Sequence, residues 1–149
     1  MTVQENIALS RSLLDLFNSH QSDPAWLDKI VVHIAEDCEF LDVPTGRTLR
    51  GPEGYSQMAL FFAEGFPDGT VEVTNVFATE DQSVIEFTGR GTNTGPLHMP
   101  MGDIPPTGKY SEVRFCSVNR AVSGKVVSIH QYFDVMTMLQ QLGLVPGMG

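Results

Sequence analysis

Val126-Val127-Ser128-Ile129-His130-Gln131-Tyr132-Phe133-Asp134 runs directly into Val135-Met136-Thr137-Met138-Leu139-Gln140-Gln141-Leu142. The first half is rich in β-branched and aromatic residues and reads as a strand. The second half puts Val135, Met138, Leu139 and Leu142 on one helical stripe. Two faces alternate along the strand. One carries Ser128, His130, Tyr132 and Asp134; the other carries Val127, Ile129, Gln131 and Phe133 and is largely apolar.

Upstream, three further runs read as strands: Thr70 to Thr79, Ser83 to Asn93, and Lys109 to Arg120. Tight connections at Glu80-Asp81-Gln82 and Ser123-Gly124-Lys125 join the four into two antiparallel hairpins. Between them, Thr94 to Gly108 is a long irregular, proline-rich segment carrying His98, Met99 and Met101, and its length marks it as a loop at the mouth of a pocket and a lid.

Earlier still, Ile7, Leu13, Leu14, Leu16 and Phe17 recur at helical spacing between Val3 and His20. Asp23-Pro24 supplies an N-cap and a first-turn proline for a second helix, expected to carry Trp26, Ile30 and Ile34 and to end near Asp37. Cys38 to Val43 reads as a short strand closed by the Pro44-Thr45-Gly46 turn. Gly51-Pro52-Glu53 then opens a third helix through Met58, Phe61 and Phe62, stopped by Gly65 and Pro67. Helices first and a meander afterwards is an α+β pattern, with the helices gathered on one face of a curved, mostly antiparallel sheet. At 149 residues the chain is expected to form one domain, 1–149, large enough to enclose a blind pocket.

Nine basic residues against eighteen acidic ones disfavour a nucleic-acid groove, which needs clustered Lys and Arg. The amino terminus lacks the basic start and apolar run of a secretion signal, and no window reaches membrane-spanning length, so a cytoplasmic location is expected. Cys38 and Cys116 stand far from any Cys-x-x-Cys or Cys/His cluster and read as small apolar residues kept reduced. No metal site, phosphate loop or dinucleotide fingerprint is visible, which fits chemistry without a cofactor.

Gly91-Thr92-Asn93-Thr94-Gly95-Pro96-Leu97, then Pro105-Pro106-Thr107-Gly108-Lys109, then Gln131-Tyr132-Phe133-Asp134 and Gln140-Gln141-Leu142-Gly143-Leu144 are, in this order, similar to the SnoaL-like polyketide cyclases. Pro44-Thr45-Gly46-Arg47, Arg50-Gly51-Pro52-Glu53-Gly54 and Phe66-Pro67-Asp68-Gly69 extend the resemblance over nearly the whole chain. It implies the cone of the nuclear transport factor 2-like and ketosteroid isomerase-like proteins, a homodimer, and an aspartate before the C-terminal segment that faces the pocket as an acid/base group. Asp134 matches that aspartate. An aromatic residue, commonly tryptophan, stands four positions earlier in the family, where this chain has His130.

The residues themselves leave Asp134 two roles, proton transfer or N-cap of the helix that follows it. His130, on the face shared with Asp134, is a candidate catalytic acid/base group or a ligand contact, and Tyr132 beside it is a candidate for orienting a ligand. At about 3.3 Å per residue His130 and Asp134 are too far apart for a direct bond. Asp42, in Phe40-Leu41-Asp42-Val43-Pro44, resembles in position the ketosteroid isomerase base and reads also as a turn-forming aspartate. Arg90, between Gly89 and Gly91, is a candidate for holding a carboxylate or ester oxygen, or else is ion-paired at the surface. His98 in the mouth loop, a surface residue or a ligand contact, and Trp26, a core residue or part of the pocket floor, complete the substrate-binding set.

The expected activity is an aldol-type ring closure on a bulky apolar carbonyl compound, with Asp134 in a dry pocket as acid/base. A hydrolase or monooxygenase is a variant of the same class. The alternative is a non-catalytic protein that binds an apolar small molecule. A homodimer is expected to cover an outer sheet face built from Val127, Ile129 and Phe133.

Overall fold

Thr2 starts the first helix, α1 (Val3–Phe17), by accepting the amide of Glu5 at 3.0 Å. The computed structural model describes residues 1–146, so the last three positions of the expected 1–149 domain lie outside the described residues. The buried side of α1 carries Leu13 together with two polar residues, Asn6 and Ser10. Asn6 donates to the carbonyls of Thr79 and Glu80, and Ser10 shares a hydrogen bond with Ser83, so this polar stripe pins the helix to one end of the sheet.

The second helix, α2 (Trp26–Val31), is much shorter than the sequence suggests. Its N-cap is Ala25 and not the expected Asp23, which instead accepts the Ala25 amide in the turn ahead of the helix. The helix gives way at His33, and β1 (Ile34–Asp42) takes over residues expected to be helical. The run Ile30-Val31-Val32-His33-Ile34 is mostly β-branched, and Ile34 is recruited by pairing with Val126. A strand β2 (Arg47–Arg50), absent from the expectations, returns from the Val43–Gly46 turn and pairs antiparallel with β1.

Gly51, at φ +66, turns the chain into α3 (Gly51–Gly65), where Pro52 suits the first turn. A Cβ on Gly51 would stand 2.7 Å from the Glu36 carbonyl oxygen, so only glycine fits this corner. After α3 come β3 (Thr70–Ala78), β4 (Gln82–Thr92), the hairpin β5 (Leu97–Met99) and β6 (Gly102–Ile104), then β7 (Tyr110–Val122), β8 (Lys125–Phe133) and α4 (Val135–Gln141). The main sheet has the order β2-β1-β8-β7-β4-β3 and is antiparallel except where β1 meets β8. This is the α+β cone, with helices on the concave face of a curved mixed sheet.

The apolar phase of each long strand faces the helices. In β7, Val113 and Phe115 are buried; in β4, Ile85 and Phe87; in β8, Ile129 and Gln131, with Val126 also buried across a register shift. One buried cluster joins Trp26, Ile30, Ile34, Phe40 and Tyr55, and a second joins Phe66, Phe87, Leu97, Phe115 and Leu142. Asn93 organises the far end. Fully buried, it donates to the carbonyls of Gly65 and Gly95 and accepts from the Thr107 amide and hydroxyl. One amide side chain thereby fastens the end of α3 to both roots of the β5–β6 hairpin.

Candidate functional site

Two cavities lie between the helices and the sheet, each of about 90 Å³. The inner one is bordered by α1, α3, β3, β4, β7 and β8, with Leu14, Phe62, Phe87, Val113 and Phe115 among its walls. Its polar groups are few. Gln131 of β8 reaches it, buried, with its amide donating to the Met58 sulfur at 3.5 Å. Ser111 donates its hydroxyl to Gln141 Oε1, which also accepts the Glu112 amide, while Gln141 Nε2 donates to the Glu112 carbonyl. Gln141 thus locks α4 to the start of β7. Burial pushes the Tyr55 phenol far above its ordinary value, so it stays a neutral hydroxyl.

The outer cavity lies under the β5–β6 hairpin. Its walls include Asp42 at the end of β1, Arg47 of β2, Phe61 of α3, His98 of β5 and Phe133 of β8. Asp42 Oδ2 accepts the Thr45 hydroxyl at 2.6 Å, while Asp42 Oδ1 is buried without any hydrogen-bond partner. Arg47 takes part in no ion pair among the described residues. His98 sits between two carboxylates, with Nδ1 3.0 Å from Asp103 Oδ1 and Nε2 3.2 Å from Glu64 Oε2. Ionised carboxylates only accept, so both ring nitrogens must donate, which is the imidazolium form. The hydrogen bond to Asp103 first, then Glu64, raises the His98 pKa above its ordinary value.

Residues 8–142 match the family described as SnoaL-like polyketide cyclase. The chain belongs to the SnoaL-like polyketide cyclase family. Solved structures agree on the SnoaL-like fold. AclR from Streptomyces galilaeus, a candidate hydroxylase, is 22% identical with a TM-score of 0.79, covering 99% of this chain and 91% of its own. IdmH from Streptomyces antibioticus, a candidate polyketide cyclase, is 29% identical at TM-score 0.70, covering 91% and 96%. An epoxide hydrolase of the LEH-like type from M. tuberculosis is 16% identical at TM-score 0.68, covering 94% and 90%. Among curated proteins nothing matches the chain.

In this SnoaL-like chain the expected site residues do not converge. His130 and Tyr132 are exposed on the outer face of β8, while Gln131 and Phe133 line the two cavities. The helices bury the apolar phase of β8, and a one-residue change of phase moves every side chain to the other face. Asp134 is also exposed. It caps α4, accepting the Thr137 amide at 3.0 Å and the Thr137 hydroxyl at 2.6 Å, and these bonds lower its pKa instead of a dry pocket raising it. Trp26 is core, edge-on to Phe17 and His20, and lines neither cavity.

Arg90 does reach the inner cavity, but its guanidinium is held by Glu72 at 3.2 Å and Glu112 at 3.1 Å. Only Asp42 and His98 share a cavity that also holds polar wall groups. Gln131, Arg47 and Tyr55 were missed as site residues. The alternation of β8 contained the signal for Gln131, the one polar member of its apolar phase.

Proposed function

We propose that this SnoaL-like chain is a cofactor-independent enzyme that closes a ring on an apolar carbonyl compound by an aldol-type step, with Asp42 moving the proton. The observation that carries this is the unpartnered Asp42 Oδ1 in the wall of the outer cavity. A buried carboxylate oxygen without a donor costs on the order of 1–3 kcal/mol, so an unsatisfied group of this kind in a cavity wall calls for a functional account.

The chemistry balances without a co-reactant. The Asp42 carboxylate takes a proton from a methylene flanked by two carbonyls, leaving an enolate. The enolate carbon attacks a second carbonyl of the same molecule, a carbon–carbon bond forms, and the new alkoxide recovers the proton from the Asp42 carboxyl group. Arg47, in no ion pair among the described residues, is the cation that would face the oxygen carrying the developing charge. The apolar inner cavity holds the rest of the molecule, and Gln131 is the donor there for a carbonyl oxygen.

Turnover of a panel of bulky diketo esters by wild type, Asp42→Asn and Asp134→Asn is the test. Asp42→Asn is expected to retain binding and lose about 10²–10⁴-fold in kcat. Asp134→Asn is expected to keep turnover with little change in Tm, because asparagine caps a helix about as well as aspartate. Loss of turnover in Asp134→Asn alone would restore the acid/base role to that residue and remove Asp42.

The nearly unbroken apolar lining of the inner cavity favours a second reading, a non-catalytic protein that binds an apolar small molecule. Binding by wild type and both variants, with conversion by none, would establish it. We also propose a homodimer, with the outer face carrying His130 and Tyr132 in place of Ile129 and Phe133, which point inward. Sedimentation at micromolar concentration decides it. No helix among the described residues is long and apolar enough to cross a membrane.

A further inference from the structure

The two cavities are divided by three side chains that line both: Met58 and Phe62, one turn apart on α3, and Met138 of α4. Each cavity, at about 90 Å³, is smaller than the roughly 150 Å³ apolar cavity known to accept one benzene ring. Neither alone therefore holds a bulky ligand.

Beneath the partition runs an aromatic ladder. Phe87, Phe115 and Phe133 occupy paired positions on β4, β7 and β8, with ring centroids 5.0 Å apart at 3° and 4.9 Å apart at 25°. Phe87 and Phe115 line the inner cavity and Phe133 the outer, so the ladder crosses from one to the other. Stacked face to face along the sheet, these rings leave their edges for whatever lies above. Phe62 takes that place, at 5.5 Å and 80° to Phe115 and 5.8 Å and 77° to Phe133.

We propose that Phe62 is a displaceable gate that determines which ligands the protein accepts. With Phe62 seated on the ladder, there are two small cavities. With Phe62 swung aside, they join into one channel that runs from the apolar inner end to Asp42. An incoming apolar body resting on the ladder regains the kind of contact that Phe62 gives up, so the exchange is close to balanced. Met58 and Met138 flank the gate, and their unbranched side chains adapt to either arrangement. The inference builds on the reading of Asp42 as the reacting end, but the gate itself is a property of binding.

The experiment is calorimetric titration of wild type, Phe62→Leu and Met58→Ala with toluene, 2-naphthol and 9-anthracenemethanol, each variant first checked for a cooperative melt. Both variants thin the same partition, so either one that folds serves. The expected result is a gain in affinity of about tenfold for the three-ring probe and much less for toluene. In wild type carrying ¹³C-methyl methionine, the Met58 and Met138 signals are expected to move together on adding 2-naphthol, with one dissociation constant. Equal gains for all three probes, no gain in a folded variant, or two methyl signals titrating independently would overturn the gate. Absence of turnover with the expected binding pattern would remove the proposed chemistry and leave the gate standing.

Discussion

The inner and outer cavities have the same size but are built differently. The inner one is walled by the centre of the six-stranded sheet and by two long helices, and its side chains are also the hydrophobic core. The outer one is roofed by a three-residue-per-strand hairpin whose tip, Met101, is fully exposed. Its polar wall groups, Asp42, Arg47 and His98, come from the ends of strands or the hairpin, where backbone geometry is less constrained. Apolar walls are thus gathered in one region and polar wall groups in the other, because a core tolerates few polar groups.

The largest expected effect breaks this contrast at its strong side. Phe115→Ala removes the middle rung of the ladder and is expected to cost about 3–5 kcal/mol in chemical denaturation, against less than about 1 kcal/mol for Met99→Ala in the hairpin. Similar losses for the two would mean that the hairpin is as much core as the sheet.

A smaller effect concerns the roof. His98 to Glu64 is the side-chain tie from the hairpin to α3, apart from the roots that Asn93 holds. Asp42 and Arg47 line the same cavity. The His98 pKa is raised in the folded protein, so the tie is complete below the ordinary histidine value and is lost as pH rises through the folded value. Amide-exchange protection of residues 97–104, corrected for intrinsic rates, is expected to fall by about two- to fivefold across that range. His98→Gln should abolish the pH dependence, and an unchanged profile would show that the roof is held by packing alone.

The smallest effect probes access. Burial pushes the Cys38 thiol up to about 11, while Cys116 is only half-buried on the outer sheet face. Because Cys116 pairs with Tyr132 on the face proposed for the homodimer, a maleimide at pH 8 is expected to label Cys116 only once the protein is diluted to monomer, and Cys38 only after unfolding.

Much of the fold was legible in the chain. The four long strands, α3 and the Pro44-Thr45-Gly46 turn lie within a few residues of where periodicity and turn chemistry put them, and the family resemblance was correct. The second helix was overextended because Ile30 and Ile34 satisfy a helical spacing as well as a strand start, and only pairing with Val126 decides between them. The site was less legible. The residues leave Asp134 a choice between pocket acid/base group and helix cap, and its two oxygens bond Thr137, as the cap role requires.

By itself the sequence determined α1, α3, α4, the four long strands and the two faces of each strand. Those follow from local propensity and from the spacing of apolar residues, which act within a few residues of each other. Tertiary structure alone decided which face of β8 meets the helices, that Asp42 and His98 share a cavity while His130 and Tyr132 share none, and that Phe62 divides the interior. These depend on side chains far apart in the chain competing for one enclosed volume, and alternation along a strand cannot say which of its two faces will be inside.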